Sequence, residues 1–270
     1  MGSTQMLFVA GAIGMAHAAE ETVQQSEAAA CVLEGDNRAW VERALHGWQR
    51  TNERALRIAQ PVPPVIVLFD AQCGFTLKPI AADGAAPALA AGGFRYVITG
   101  VPHQGTIALP DGQSLPARLT SFAAPMPDGS MAFVMALPPI WVEQAKGNDR
   151  VLLATAVFMH EFTHTQSAGF GRRIEALGKK GLPSDVDDDV IQARFASRPG
   201  FSGAYKREQQ LLWEATAAPD VKDARALAKR ALRVMDNRRA RYFKGQDAVY
   251  AEAEDLFLTL EGTGQYALYR

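Results

Sequence analysis

The sequence DRVLLATAVFMHEFTH occupies residues 149–164 and decides most of what the chain alone can predict. Asp149 is a residue type that caps helix N-termini, and the apolar run after it predicts a buried helix over 150–168. Residues four apart on a helix lie on one face, so His160 and His164 present two imidazoles to the same point. This stretch therefore predicts a helix that carries two candidate metal ligands.

The residues from His160 to His164 match the HExxH pattern, and in this the chain resembles the zincin metallopeptidases. The resemblance implies that both histidines bind Zn²⁺ and that Glu161 accepts a proton from a water on the metal. Phe162 and Thr163 are uncharged, as the family pattern requires. The alternative is a metal-free helix with two hydrogen-bonded core histidines and a surface glutamate.

A catalytic zinc site needs a third protein ligand and an open position. The metzincin branch, with the pattern HExxHxxGxxH, is disfavoured because Ser167 and Phe170 stand where Gly and His are required. Gly169 and Gly171 predict the end of the helix. The resemblance is therefore to the gluzincins, whose third ligand is a glutamate on a later helix.

The favoured third ligand is Glu261, within the segment 258–266. This segment resembles the Glu-Gly-x-x-x-Tyr signature of aminopeptidase-like gluzincins, in which the glutamate ends an apolar helix. An apolar run over 256–260 carries the carboxylate into the interior, and Gly262, without a Cβ, permits close backbone approach. A buried carboxylate needs a partner, and a metal is one. The other candidates are Glu208, Glu214 and His103.

One position departs from the thermolysin-like pattern. Those gluzincins place an Asp four residues after the ligand Glu to orient a ligand histidine, whereas position 265 here is Gln. Because zinc-bound histidines need such a partner, Glu254 and Asp255 are the predicted substitutes.

The implied activity is hydrolysis of a peptide or protein substrate with one Zn²⁺ per chain, bound by His160, His164 and Glu261. Glu161 is the expected general base. Tyr266 is the preferred oxyanion donor. The other candidate donors are Tyr205, Tyr250 and Arg241. No Gly-x-Met-Glu-Asn motif occurs, which favours an endopeptidase over an aminopeptidase.

A second class of function is a non-catalytic, zinc-stabilised binding or structural protein of the cell envelope. In that case the metal only clamps two helices, and four protein ligands are expected instead of three. An intact Glu161 favours catalysis, since a clamp needs no base.

Composition limits the possible partners and the fold. The chain has 270 residues and a net charge of −1, which disfavours nucleic acid as a partner. We expect a zincin-like α+β fold, with a small mixed or antiparallel sheet in residues 19–148 and a mostly helical part, carrying the metal helix, in 149–270. One continuous domain over 31–270 is the alternative.

Periodicity predicts the individual elements. For residues 131–137 we expect an ordinary core strand; the alternative is the edge strand that lines the cleft in zincins. Asp111 with Gly112 indicates a turn. The predicted strands are 65–69, 94–99, 106–109 and 131–137. The predicted helices are 40–59, 150–168, 172–178, 186–196, 203–217, 221–243 and 247–261.

The N-terminus resembles a secretory signal. An apolar run over 6–16 precedes a small-x-small cleavage pattern, which predicts a signal peptide at 1–18, although no Lys or Arg occurs before Arg38. We therefore expect a secreted or periplasmic protein that is not stably inserted in a membrane after the signal is removed. In that compartment Cys31 and Cys73 are expected to form a disulfide that ties the first helix to the first strand.

Overall fold

The computed structural model describes residues 31–81, 84, 86–183 and 189–269. The predicted signal peptide 1–18 lies outside this part of the chain. The fold is α+β with a mixed sheet, which confirms the predicted class. Among the helices of the described residues, none is both long and apolar enough to cross a membrane.

The main sheet has six strands in the order β3-β4-β2-β1-β8-β7, and β5 and β6 form a separate hairpin. All neighbouring pairs are antiparallel except β1 with β8, which is parallel. The strands are β1 (Val65–Phe69), β2 (Cys73–Pro79), β3 (Leu89–Ala91), β4 (Phe94–Pro102), β5 (Thr106–Ala108), β6 (Ser114–Pro116), β7 (Ser121–Pro125) and β8 (Met131–Ala136).

The parallel pair of the sheet, β1 and β8, lies inside it between β2 and β7. Both are continuous apolar runs, and nearly every residue in them is buried. Such runs are typical of strands covered on both faces. The preference for an ordinary core strand at 131–137 is confirmed, because β8 lies inside the sheet between β1 and β7. The edge next to β8 is formed by β7, a strand that was not predicted, and the opposite edge is β3.

The first helix, α1 (Gly35–Thr51), continues directly into a π-helix (Asn52–Leu56). The prediction of a single helix over 40–59 was wrong at both ends. The helix begins earlier, at Gly35, and Arg57 ends it in the left-handed conformation with φ of 57°. Its apolar face, which includes Trp40 and Trp48, is buried.

An aromatic cluster joins α1 and the sheet to α3 (Arg150–His164), the helix that carries the two histidines. The Phe158 and Phe162 rings stack with centroids 5.1 Å apart, and Phe133 of β8 meets both edge-on. The indoles of Trp40 and Trp48 donate to threonine hydroxyls of α3 at 3.0 Å. These contacts fix the rotation of α3 about its own axis, and with it the direction of the histidines.

The predicted disulfide between Cys31 and Cys73 is present. Its location differs in detail, since Cys31 precedes α1 and Cys73 begins β2 rather than the first strand. Gly100 of β4 lies against this bridge. A Cβ there would lie 1.9 Å from the carbonyl oxygen of Cys31, so only glycine fits.

The second half is helical, as predicted, and has its own apolar core, which includes Phe195, Phe201 and Tyr250. The first core extends through α3, and the residues of the second core begin after it. The division of the chain at 148–149 stays a prediction. The remaining helices are α2 (Pro138–Gln144), α4 (Phe170–Gly178), α5 (Val190–Phe195), α6 (Phe201–Ala217), α7 (Val221–Tyr242), a 3-10 helix (Gly245–Ala248) and α8 (Val249–Leu268).

Several predicted boundaries differ from the structure. The strand at 65–69 and the turn at Asp111-Gly112 are confirmed. The strand at 94–99 continues to Pro102, and α2 was not predicted. Of the helix predicted over 186–196, the structure describes α5, which begins at Val190; residues 184–188 lie outside the described part.

We predict that Phe158→Ala destabilises the fold by about 3–5 kcal/mol, because truncation leaves a cavity among rings that cannot close around it. Phe158 is fully buried. The measurement is urea unfolding of metal-free protein. The control is Leu258→Ala on the exposed face of α8, where the loss should stay below about 1 kcal/mol. Equal losses in the two variants would contradict the assigned role of the aromatic cluster.

Candidate metal centre

The two histidines lie at the C-terminal end of α3. Asp149 caps the helix, and its carboxylate accepts from the backbone NH of Leu152 at 2.9 Å, which confirms the predicted cap. The helix ends at His164, so the predicted end at 168 was wrong. The hydroxyl of Thr165 bonds to the carbonyl of Phe162 at 2.7 Å and closes the last turn before either glycine is reached.

The third candidate ligand is carried by α8. This helix runs to Leu268 and does not end near Glu261, so the prediction of a helix over 247–261 was too short. Both glycines that follow Glu261 lie within the helix. The carboxylate is also less buried than expected, because its side chain is 37% exposed. It is therefore accessible to solvent.

The side chains of His160, His164 and Glu261 converge on one point. The Nε2 atom of His160 lies 3.2 Å from Oε2 of Glu261, and Nε2 of His164 lies 3.6 Å from Oε1. The two Nε2 atoms are 2.9 Å apart. A tetrahedral Zn²⁺ with bonds of ~2.0–2.1 Å separates its ligand atoms by about 3.4 Å. Within the described residues, these three side chains form a group whose potential ligand atoms all lie within 4.8 Å of one another.

A close helix–helix contact makes this convergence possible. A Cβ built on Gly264 would lie 2.9 Å from the Cε1 atoms of His160 and His164, closer than side-chain contacts allow. The backbone of α8 therefore rests directly on both imidazoles. The sequence analysis gave this role to Gly262, which was wrong, because a Cβ there meets nothing within 4 Å.

The three side chains shift one another's proton affinities in opposite directions. A hydrogen bond with Glu261 raises the pKa of His160, and the same bond lowers the pKa of Glu261. Burial lowers the pKa of His164, which also lies next to His160. The hydrogen bond thus favours a protonated His160 beside an ionised Glu261, and burial favours the neutral form of His164. A neutral imidazole and an ionised carboxylate are the forms that bind zinc.

Glu161 follows His160 directly on α3 and is half-buried. Burial raises the pKa of its carboxyl group to about 7. A carboxyl group with a pKa near neutrality can both accept and release a proton at the operating pH, as a general base and acid must. The neighbouring Glu261 raises this pKa further, and His160 opposes it.

The predicted partners for the outer nitrogens of the histidines are not found among the described residues. Nδ1 of His160 and Nδ1 of His164 are both buried without a hydrogen-bond partner in that part of the chain. Glu254 and Asp255, the predicted substitutes, instead bond to Arg239 of α7 at 2.6 and 2.7 Å. Contact with α8 at Gly264, and not a hydrogen-bonded acid, holds the imidazole rings.

The other candidate third ligands have different partners. Glu208 is buried in an ion pair with Arg238 at 2.9 Å. Glu214 accepts from Gln210 at 3.0 Å on the surface of α6. His103 bonds through its ring nitrogens to the Asp70 carbonyl and the Gly105 NH. None of the three joins the histidine pair.

The predicted oxyanion donor Tyr266 lies on the other side of α3. It lines a cavity with Met159 and Thr155, and none of the three candidate ligands lines that cavity. Met159 and Glu161 are two positions apart and therefore about 200° apart around the helix axis. The catalytic role of Tyr266 stays a prediction, and the position of this residue does not support it. The other candidates, Tyr205, Tyr250 and Arg241, belong to α6, α8 and α7.

On the flank of α3 next to His164, the edge strand β7 forms one wall of an apolar cavity of about 260 Å³. Ala123 and Pro125 of β7 line it on one side, and His164 and Leu260 on the other. The terminal strand of the sheet thus runs beside the candidate metal ligands, with space between them. No sequence pattern predicted this strand, because it has five residues that are mostly small and half-buried.

Comparison with known protein families, with curated proteins and with solved structures finds no match. The resemblance to zincins therefore rests on the residues that converge at this centre.

We predict that Gly264→Ala weakens zinc binding at least tenfold, because the added methyl group displaces α8 from the imidazoles. Gly262→Ala is the matched control on the same helix; it should bind zinc normally and stabilise α8 by up to about 1 kcal/mol. Zinc affinity can be measured by competition with a chromogenic chelator. Unchanged affinity in Gly264→Ala would contradict the contact.

We also predict about one zinc per wild-type chain, and loss of that zinc in Glu261→Ala after dialysis against a weak chelator. Glu214→Ala, a candidate that lies outside the cluster, should retain it. Metal content can be measured by plasma mass spectrometry. A folded wild-type protein that takes up no zinc after replenishment would show that the HExxH pattern is a coincidence.

Proposed function

We propose that this protein is a zinc-dependent metallopeptidase of the gluzincin type that acts on peptide or protein substrates. The observation that carries the proposal is the position of Glu261, which reaches within 3.2 and 3.6 Å of the two histidine Nε2 atoms from a helix about 100 residues later. A chance HExxH sequence does not require a distant carboxylate to meet its histidines. The position of a helix beside a small mixed sheet is also what a zincin-like fold requires.

The donor set fits zinc. Two imidazole nitrogens and a carboxylate are the ligands of catalytic zinc sites in which one position stays open. A zinc ion held by His160, His164 and Glu261 supplies Lewis acidity toward water and toward a carbonyl oxygen. The partial exposure of Glu261 supports an open, catalytic centre over a sealed structural one.

In this proposal Glu161 moves the proton. Its carboxylate takes a proton from the attacking water and later gives it to the leaving amine. The raised pKa of Glu161 supports this role, because the proton acquired in the first step can leave in the second. A dication nearby favours the ionised form, which is the form needed to begin the reaction.

The substrate path follows β7. A terminal strand pairs with an extended peptide through backbone hydrogen bonds. The cavity between β7 and His164 is lined by apolar side chains such as Met131, Phe170 and Leu260. This lining favours an apolar side chain next to the cleaved bond. The absence of an amine-gripping motif in the sequence favours internal cleavage over removal of N-terminal residues.

The disulfide supports an oxidising compartment for this protein. A bridge between Cys31 and Cys73 forms and persists in an oxidising environment. Together with the signal-like N-terminus, it supports export to the periplasm or the extracellular space.

A second function is favoured by the contact at Gly264. Because α8 packs directly on both imidazoles, a metal at this centre also clamps α8 onto α3. A non-catalytic, zinc-stabilised envelope protein would use the same three ligands for that purpose, together with the fourth protein ligand that a closed structural site needs. The two functions differ in whether Glu161 is needed.

We predict that Glu161→Gln lowers peptide hydrolysis at least ~10²-fold, because an amide cannot accept the proton, while zinc content stays near one per chain. The measurement is cleavage of a fluorogenic library of peptides with internal apolar residues. Glu175→Gln, on an exposed helix face, is the matched control and should retain full activity.

Full activity in zinc-loaded Glu161→Gln would reject the assignment of the base. A zinc-loaded wild type without turnover on any peptide, but with zinc-dependent thermal stability, would favour the clamp function.

A further inference from the structure

A cavity of about 520 Å³ lies between the C-terminal end of α1, the π-helix, α3 and the last turns of α8. Its volume falls within the range of ~300–1,000 Å³ that is typical of small-molecule sites. Met159 of α3 forms part of its wall, on the flank of the helix that faces away from Glu161. This cavity shares no lining residue with the apolar cavity beside β7, so the two are separate.

Two arginines face this cavity, Arg50 near the end of α1 and Arg54 in the π-helix. Among the residues that the structure describes, neither guanidinium has an ion-pair or hydrogen-bond partner. The acid nearest in sequence, Glu53, accepts a hydrogen bond from Gln49. Two unpartnered cations at the rim of one cavity create a positive potential that favours an anion.

The backbone next to these arginines is unusual. The π-helix that carries Arg54 ends at Arg57, which is left-handed with φ of 57°. Side-chain bonds from Asn52 to the backbone of Ile58, at 2.8 and 3.2 Å, hold this conformation. Single π turns and left-handed non-glycine residues have an energetic cost, and they are concentrated at functional sites.

We propose that this cavity binds a small organic anion with two negative charges, of the dicarboxylate or phosphate-ester class. Arg50 and Arg54 provide the two guanidinium forks, which match the geometry of carboxylate and phosphate groups. Thr51 and Met159 line the part that receives the carbon skeleton. Because Tyr266 of α8 forms the opposite wall, the bound anion contacts the helix that carries Glu261.

The test is calorimetric titration of the full chain with succinate and, separately, with glycerol 3-phosphate, at constant ionic strength. It is made on metal-free and on zinc-loaded protein, so that its outcome is independent of peptidase activity. We expect saturable binding of at least one anion, one per chain, in both forms. Arg50→Gln and Arg54→Gln should each weaken it about tenfold or more.

Arg43→Gln is the matched control, an exposed arginine of α1 that does not line the cavity, and it should bind as the wild type does. Tighter binding of one probe than of the other identifies the class of the anion. Absence of saturable binding for both probes would overturn the proposal. Binding that appears only with zinc, or that survives in both cavity variants, would do so as well.

Discussion

The contact between the backbone of α8 and the imidazoles of α3 is the constraint on which the candidate centre depends. Two helices normally pack 8–10 Å apart, with side chains between them. At Gly264 α8 contributes no side chain, so its backbone lies against the imidazoles, and Glu261, three residues earlier, reaches both Nε2 atoms. A residue with a Cβ would separate the carboxylate from the histidines without changing any ligand. The geometry of the candidate metal site thus depends on a residue that is not itself a candidate ligand.

The same contact needs a rigid surface to rest on, and the first core supplies it. Stacked and edge-on rings on the inner face of α3, together with two tryptophans of α1, prevent the helix from rotating. His160 and His164 occupy the outer face of that helix. The 3.6-residue period of α3 places the phenylalanines on one face and the histidines on the other. Burial of the phenylalanines therefore also sets the direction of the histidines.

This explains which features the sequence could predict. Local patterns identified the cap at Asp149 and the strand at 65–69, because each depends on residue type and short spacing. Cys31 and Cys73 lie 42 residues apart, and their pairing could be predicted because the sequence has two cysteines and a signal-like N-terminus. The extension of α8 through two glycines was missed, because helix propensity disfavours glycine and only the packing of α8 on α3 compensates. The edge strand β7 and the π-helix carry no periodic signal, and their position follows from the rest of the fold.

The acids predicted to orient the histidines show how α8 is held in place. Glu254 lies seven residues before Glu261 and therefore on nearly the same face of the helix. It bridges Arg238 and Arg239 of α7 at 2.9 and 2.6 Å, and both it and Arg238 are buried. Removal of one member of a buried pair leaves an uncompensated charge, which costs about 3–5 kcal/mol. The acid therefore acts on the centre through the backbone: it anchors α8 to α7 two turns away, so that Gly264 stays against the imidazoles.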